Sequence, residues 1–384
     1  MCELINAKQW NYYHLHTIIT NWQKIKGIFM KERTYFEQRE IACIEKLEKI
    51  VDTLPYYVQD FFIGVELNTS PLTRLNYGYD LRVFFDFLTK KVFRHKEIAS
   101  ISLKDLAELQ ASDIEYFLSY LSHYNINGKD ERCTETGKAR KLSTLRAFYK
   151  YFFNRNLLPA NTPAKVSMPK IHEKEIIRLD RNSKVDEIGD MLYTVESGSG
   201  LTKKQLAFHN TTKLRDTAIV TMFLGTGIRI SELVGLNCGD VDFKSNSFVA
   251  TRKGGNRTVL YFNDQVYKAL MDYLTTRNSD LSKLNEQPLF LSLQNKRIST
   301  RQVQELVKKY ARIVSPLKKI TPHKLRSTFG TNLYRQTGDI YVVADCLGHK
   351  DVNTTKKHYA AITDDIRKQA GMNLNISYDK NKED

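Results

Sequence analysis

A proline-rich segment near the middle of the chain constrains its fold more than any other sequence feature. Three of the eight prolines among the 384 residues, Pro159, Pro163 and Pro169, lie in the stretch LLPANTPAKVSMPKIHEKE. Proline interrupts helices and stiffens the backbone, and helical patterns lie on both sides of this stretch. We therefore predict two domains joined by a linker at residues 159–172, in a chain long enough for two hydrophobic cores.

The residues before this linker are predicted to be helical. Ser70-Pro71 is typical of a helix cap followed by the first helical residue. Ser112 and Glu115 have the spacing of a capping box, which predicts another helix start. These helices form an N-terminal domain over residues 51–158, and residues 1–50 are an extension without an assigned role.

A third predicted helix, around residues 137–154, has two different faces. Its apolar positions recur at helical spacing, and the opposite face carries Arg140, Ser143 and Lys150. This basic face is a candidate DNA-binding surface. Taken alone, it is equally typical of an ordinary face exposed to solvent.

The charge of the chain favours a polyanionic partner. The formal net charge is +16, from 59 basic and 43 acidic residues. Nucleic acid is the first candidate for such a partner, ahead of an anionic membrane surface, because no strongly amphipathic basic terminal helix stands out. The five cysteines are scattered without a C-x-x-C pair, which argues against a zinc site or a disulfide framework. We expect a cytoplasmic protein without a membrane span.

Two basic side chains in the second half lie at predicted element boundaries. In KLRDTAIVTMFLGTGIRISELVGL, a helix from about Arg215 is broken by Gly225-Thr226-Gly227, which places Arg229 at the N-terminus of the next helix. In SFVATRKGGNRTVLYF, two strands flank a glycine turn, and Lys253 lies at the tip of this hairpin. Each signal is weak by itself.

Four further polar residues lie on or next to predicted helices closer to the C-terminus. Thr321-Pro322 predicts the cap and start of a helix whose first turns carry His323 and Arg326. The next helix, 339–347, is predicted to start at Asp339 and to end at Gly348, which His349 directly follows. Tyr359 lies on the last predicted helix.

These residue types could act together on one phosphodiester. Arginines can bind its non-bridging oxygens through two parallel hydrogen bonds, and histidines can donate to the same oxygens. A lysine can protonate the leaving 5′ oxygen while a tyrosine attacks phosphorus. The sequence has no acidic cluster for Mg²⁺, so we expect neither a metal nor another cofactor, and positive side chains must stabilise the transition state.

Four motifs taken together resemble those of the tyrosine recombinases of the phage integrase family: GTGIRISEL, TRKGG, TPHKLRSTFGTNLY and LGHKDVNTT…Y. They occur in the family's order at compatible separations. The N-terminal half, from LPYYVQDFF, resembles the Xer-type single recombinases of Gram-positive bacteria, and the likeness extends from about Leu54 to Gly371.

The resemblance implies catalytic roles for the residues at these boundaries. They are two phosphate-binding arginines, a general-acid lysine, two supporting histidines and a nucleophilic tyrosine: Arg229, Arg326, Lys253, His323, His349 and Tyr359. Glu232 is expected to support the site without reacting.

The resemblance also implies a fold and partners. The expected fold is mainly α with a small antiparallel sheet or hairpin, in a C-shaped clamp of a helical core-binding domain and a catalytic domain at 173–374. Residues 375–384 form a polar tail. The expected partner is double-stranded DNA with a specific recombination site, bound by a homotetramer that exchanges strands through a Holliday junction. The segment 363–374 docks on a neighbouring subunit, and an excisionase or a septal DNA translocase can assist.

Three questions stay open from the sequence: the nucleophile, the type of activity and the biological role. From His349 to Tyr359 is ten residues, one more than the family's usual spacing, so His358 is a second candidate nucleophile. The same residues would serve a type IB topoisomerase, or remain in a catalytically inactive DNA-binding protein. The biological role is either that of an element integrase or that of a chromosome dimer resolvase.

Overall fold

The chain forms two compact units, residues 1–173 and 174–384. Both are mainly helical with small antiparallel sheets, which confirms the predicted fold class. No described helix is both long and apolar enough to cross a membrane. The computed structural model describes residues 34–126, 128–171, 177–181, 185–252, 255–277, 287–348 and residue 352.

The described part of the first unit consists of helices around an aromatic core, with one short hairpin. The hairpin pairs β1 with β2 antiparallel, so that Tyr124 lies opposite Glu131. The elements are α1 Tyr35–Val51, α2 Val58–Val65, α3 Pro71–Phe87, α4 Leu103–Glu108, α5 Ala111–Tyr120, β1 Tyr124–Ile126, β2 Lys129–Glu131, α6 Glu135–Phe153 and a 3₁₀ turn Thr162–Lys165.

The starts of two helices test the local capping signals. α3 begins as predicted, with the Ser70 hydroxyl accepting from the backbone N–H of Thr73 at 3.3 Å. The capping box predicted at Ser112 is wrong, because α5 begins at Ala111. The Asp113 carboxylate accepts from the backbone N–H of Gln110 at 2.8 Å, which satisfies a helix-end donor two residues before the predicted position.

The apolar face of α6 forms the centre of the first core, as predicted. Phe148 lies edge-on to Phe61 and Phe152, with ring centroids 5.2 and 5.1 Å apart. Such edge-to-face contacts add to the stabilisation that burying the rings provides. The apolar positions that recur at helical spacing on α6 are all buried: Leu142, Leu145, Tyr149 and Phe152.

Helix α1 packs into the core of the first unit. The predicted N-terminal domain began later, at residue 51, and left this helix out. Cys43 and Leu47 are buried in the same core as the rest of the unit. Gly78 allows close packing, because a Cβ there would lie 2.8 Å from Leu47 Cδ1. The sequence did not indicate this packing, because most of the surface of α1 is polar and only a narrow apolar stripe is buried.

The first part of the predicted linker also folds onto the first unit. Leu158 and Val166 are buried in its core. The Arg146 guanidinium donates to the carbonyls of Pro163, at 3.1 Å, and Val166. Proline suits the start of the 3₁₀ turn here because its φ is already fixed. The unit therefore continues beyond residue 158, where the prediction ended it.

The second unit is built around one long helix, α8, which packs against α7, α10 and α12. Its three-stranded antiparallel sheet has the order β3-β4-β5, and Phe248 of β4 lies opposite Leu260 of β5. The elements are α7 Glu187–Ser197, α8 Lys203–Thr226, α9 Ile230–Gly235, β3 Val241–Asp242, β4 Ser247–Thr251, β5 Arg257–Tyr261, α10 Asp264–Thr276, α11 Thr300–Val314, α12 Pro322–Thr337 and α13 Ile340–Leu347.

Candidate active site

A glycine ends α8 and sets the position of Arg229. Gly227 has a φ of +62°, the left-handed conformation typical of a residue that closes a helix. A Cβ at this position would lie 2.4 Å from the ring of Phe329. Arg229 then precedes the first residue of α9, as predicted. The predicted break was too long, because Gly225 and Thr226 still belong to α8.

The carboxylate of Glu232 binds both the backbone and the side chain of Arg229. Its Oε1 accepts from Arg229 Nη1 at 2.8 Å, and its Oε2 accepts from the backbone N–H of Arg229 at 3.0 Å. The Glu232 side chain is only 3% exposed, whereas that of Arg229 is 36% exposed. One buried carboxylate thus fixes both the backbone and the guanidinium of Arg229, while part of that guanidinium remains accessible.

Arg326 reaches the same place from α12. This helix starts at Pro322 after Thr321, as predicted, although the Thr321 side chain makes no capping hydrogen bond. Arg326 is only 4% exposed. Its Nη1 donates to the carbonyl of Gly227 and its Nη2 to the carbonyl of Leu347.

The two arginines share one acceptor at the C-terminus of α13. Arg229 Nη2 donates to the carbonyl of Leu347 at 3.1 Å and to that of Gly348 at 3.0 Å. As predicted, Asp339 caps the start of α13, and Gly348, with a φ of +57°, ends it. Helix C-termini carry partial negative charge and unpaired carbonyls, so they orient guanidinium groups without cancelling their charge.

A third arginine at this helix end was missed by the sequence reasoning. Arg252, at the end of the hairpin strand β4, donates through Nη2 to the carbonyl of Cys346 at 3.4 Å. A Cβ on Gly348 would lie 1.9 Å from Arg252 Nη1, so the guanidinium lies directly against that glycine. Its place in TRKGG, next to Lys253, was the signal that could have identified it.

Of the remaining predicted catalytic residues, His323 is the one that lies among the described residues. His323 is exposed in the first turn of α12, one turn before Arg326. Lys253, His349 and Tyr359 lie outside the described residues, as does the alternative nucleophile, His358.

A nearby thiol is a poor competitor for the role of nucleophile. Burial raises the pKa of the Cys346 thiol, and the neighbouring Asp345 carboxylate raises it further. A thiol with a raised pKa is protonated at neutral pH, and the thiolate is the reactive form.

The basic face predicted on α6 is present in the first unit. Arg140, Ser143 and Lys150 are all exposed on that helix. The Ser143 hydroxyl donates to the carbonyl of Ala139 at 2.9 Å, and Arg140 pairs with the buried Asp80. The sequence reasoning did not single out Asp80, which is one of three charged residues in the mainly apolar run YGYDLRVFFDF.

Two family models match the chain. The model of the phage integrase family matches residues 201–365, which include all six proposed catalytic residues. The model of the phage integrase N-terminal SAM-like domain matches residues 58–156, which include the basic face of α6.

Curated relatives match nearly the whole chain. The tyrosine recombinase XerC of Caldanaerobacter subterraneus subsp. tengcongensis is 31% identical over 352 residues, which cover 88% of this chain and 90% of the relative. The tyrosine recombinase XerS of Streptococcus agalactiae is 29% identical and covers 87% of this chain and 99% of the relative.

Solved structures share the fold. The integrase of the transposon Tn1549, in complex with a circular intermediate DNA, matches 82% of this chain and 98% of its own with a TM-score of 0.56 and 17% identity. The XerH recombinase bound to a difH substrate matches 76% of this chain and 77% of its own, also with a TM-score of 0.56, at 16% identity.

Proposed function

The chain belongs to the Xer-type tyrosine recombinases, and on this premise we propose that Tyr359 attacks a DNA phosphodiester bound by Arg229 and Arg326. The enzyme is a tyrosine site-specific recombinase, and its relatives do not support the type IB topoisomerase reading. The observation that supports the proposed residue roles is the convergence of both guanidinium groups on the carbonyl of Leu347.

The proposed reaction exchanges one ester for another. The Tyr359 oxygen forms a bond to phosphorus and passes its proton to one of the two supporting histidines, while the bond from phosphorus to the 5′ oxygen breaks. Lys253 supplies the proton that the leaving 5′ oxygen takes up. The product is a 3′-phosphotyrosyl ester, which the 5′ hydroxyl of another strand opens in the reverse sense. Since the bonds are of similar energy, no nucleotide is consumed.

The arginines stabilise the charge that develops on the phosphate oxygens in this step. Glu232 and the carbonyls at the end of α13 hold Arg229 before substrate arrives. Because the guanidinium of Arg229 is already oriented, it needs little reorganisation when the transition state forms. Hydrogen-bond donors that are oriented in advance stabilise the charge of a transition state most. His323 and His349 support the same oxygens.

We propose double-stranded DNA with a specific recombination site as the partner, bound by both units. Residues 51–158 would form the core-binding domain, and residues 173–374 the catalytic domain, in a cytoplasmic homotetramer that passes through a Holliday junction. The segment 363–374 would dock on a neighbouring subunit. The XerC and XerS names of the relatives and the DNA in the structures of the Tn1549 integrase and XerH support this proposal.

The biological role is proposed as either element integration, with an excisionase, or chromosome dimer resolution, with a septal DNA translocase. Sequencing the flanking genome separates the two. An adjacent excisionase gene and attachment repeats would indicate an element integrase.

Covalent trapping tests the proposed function directly. Tyr359→Phe should bind a nicked suicide DNA substrate but form no adduct that withstands denaturation, because the attacking oxygen is absent. His358→Ala is the matched control next to it and should trap DNA like the wild type, with no added metal or nucleotide.

The opposite pattern would overturn the assignment. If Tyr359→Phe traps DNA and His358→Ala does not, the longer spacing after His349 has placed the histidine at phosphorus. If the wild type traps none on its own site, the proposed reaction fails altogether.

A further inference from the structure

One buried carboxylate lies directly beneath the basic face of the first unit. Asp80, on α3, has a side chain with 0% exposure. It accepts from Lys141 Nζ at 2.9 Å, from the Thr144 hydroxyl at 2.8 Å and from Arg140 Nη1. All three donors lie within two turns of α6. A buried charge with this many partners is held in one orientation.

The two cations on Asp80 differ in their exposure. The Lys141 side chain is 8% exposed, so its charge is enclosed with the carboxylate. The Arg140 side chain is 49% exposed although one of its nitrogens binds the same carboxylate. One negative charge cannot neutralise two positive ones, and the surplus positive charge is therefore at the solvent-facing edge of Arg140.

Arg140 also lies in the stripe of α6 that Ser143 and Lys150 continue. Both of these residues are exposed, and the spacing of the three places them along one side of the helix. The side chain of Lys150 makes no hydrogen bond or ion pair with any described residue, whereas the side chain of Arg140 binds the carboxylate of Asp80. The stripe thus combines a guanidinium held in one orientation, that of Arg140, with a lysine side chain, that of Lys150, whose conformation no hydrogen bond or ion pair to a described residue fixes.

We propose that Asp80 is a positioning residue for DNA binding: it fixes the guanidinium of Arg140 so that its exposed edge receives a phosphate of the duplex. This inference rests on the proposed DNA-binding function. An exposed arginine loses much rotational freedom when it binds, and a guanidinium already held in its bound orientation loses less.

The sign of the mutational effect separates positioning from simple charge balance. If Asp80 only countered positive charge, Asp80→Asn would make the unit more basic and tighten DNA binding. If Asp80 positions Arg140, the same change releases the guanidinium and weakens binding.

The test uses the full-length chain and a fluorescent duplex of random sequence, titrated between about 50 and 200 mM salt. Asp80→Asn should weaken binding about tenfold and lower the salt slope by about one counterion. The matched control is Asp86→Asn, on the same helix, which removes the carboxylate that lies 2.8 Å from Lys90 Nζ. It should leave binding equal to the wild type or slightly tighter.

A double-mutant cycle completes the test. In an Arg140→Ala background, Asp80→Asn should cause no further loss of affinity, because the group that it positions is gone. An equal loss in both backgrounds, or tighter binding of Asp80→Asn, would overturn the inference. A wild type that does not bind the duplex would instead count against the proposed function.

Arg140→Lys tests the idea even if Asp80→Asn fails to fold. It keeps the positive charge and the buried carboxylate but removes the planar fork. Binding several-fold weaker than that of the wild type supports positioning. Binding as tight as that of the wild type overturns it.

Discussion

The carbonyl oxygen of Leu347 accepts hydrogen bonds from two arginines that are almost a hundred residues apart in the chain. The sequence predicted which side chains would meet, because Arg229 and Arg326 each lie at a helix start within a family motif. It could not predict their acceptors, since every residue has a carbonyl and only the folded backbone determines which one is unpaired. The acceptor of Arg252, the carbonyl of Cys346, was unpredictable for the same reason, although the position of Arg252 in TRKGG was a usable signal.

Replacing Arg326 with Ala should slow DNA cleavage about a hundredfold, a loss of ~3 kcal/mol of transition-state stabilisation. Lys at this position should rescue the rate poorly, because it lacks the two parallel donors of a guanidinium. Single-turnover cleavage of a suicide substrate at saturating enzyme measures the effect. Arg335→Ala, on the exposed side of the same helix, is the control and should cleave at the wild-type rate. Near wild-type cleavage by Arg326→Ala would contradict its role.

At the scale of elements, a small ionic cluster joins the start of the second unit to the end of α11. Lys318 Nζ lies 2.7 Å from Asp180 Oδ2 and 2.6 Å from Glu187 Oε2. The Ser315 hydroxyl donates to the other oxygen of Glu187. Burial alone would raise the pKa of Glu187, but the hydrogen bonds from Lys318 and Ser315 outweigh it and hold that pKa below its usual value.

A lowered carboxyl pKa makes the stability of this unit depend on pH. The stabilisation is present above the unfolded-state pKa of the Glu187 carboxyl and is lost as the pH falls through its folded-state pKa. Lys318→Met should lower the free energy of unfolding by about 1–2 kcal/mol at neutral pH, a modest value because Lys318 is partly exposed.

Urea unfolding followed by circular dichroism, at pH 7 and at about pH 3, measures this effect. The difference between the wild type and Lys318→Met should shrink at the lower pH, because the ionised form of Glu187 that Lys318 stabilises is lost as the pH falls through its folded-state pKa. Lys319→Met, at the next position, is the control and should unfold like the wild type. A difference that is the same at both pH values would argue against the ionic cluster as its cause.

The sequence predicted an element well when its boundary signals were local. Asp339 and Gly348 mark the ends of α13 through contacts within one turn, so both ends could be predicted. The start of α5 was misplaced because two overlapping sets of polar residues could cap it, and only packing decides between them. The 3₁₀ turn at Thr162–Lys165 depends on Arg146, which is distant in sequence.

At the scale of the whole molecule, the chain has a net charge of +16 and two units with separate interiors. Exposed basic residues lie in both units, so the electrostatic part of DNA binding should be distributed between them. A protein that contacts 6–10 phosphates loses roughly a thousandfold or more in affinity between 50 and 200 mM salt.

Arg140→Ala combined with Lys150→Ala should therefore flatten the salt slope by up to about two counterions. The cleavage rate of saturated complexes should not change, because the catalytic residues belong to the other unit. Titrations at several salt concentrations, together with single-turnover cleavage, check both statements. Lys46→Ala with Lys49→Ala removes the same charge from α1 and should alter the slope less. A double variant with an unchanged slope would remove the first unit from the DNA interface.

The carbonyls that bind Arg146 have a consequence for synthesis on the ribosome. Leu158 and Val166 are buried in the first core. The guanidinium of Arg146, on α6, finds its acceptors at the carbonyls of Pro163 and Val166, which are synthesised later. Domains emerge N-terminal end first and fold as units during translation. The first unit can therefore close only after residue 166 has left the exit tunnel. A nascent chain that stalls at residue 158 would present an open core to chaperones and proteases.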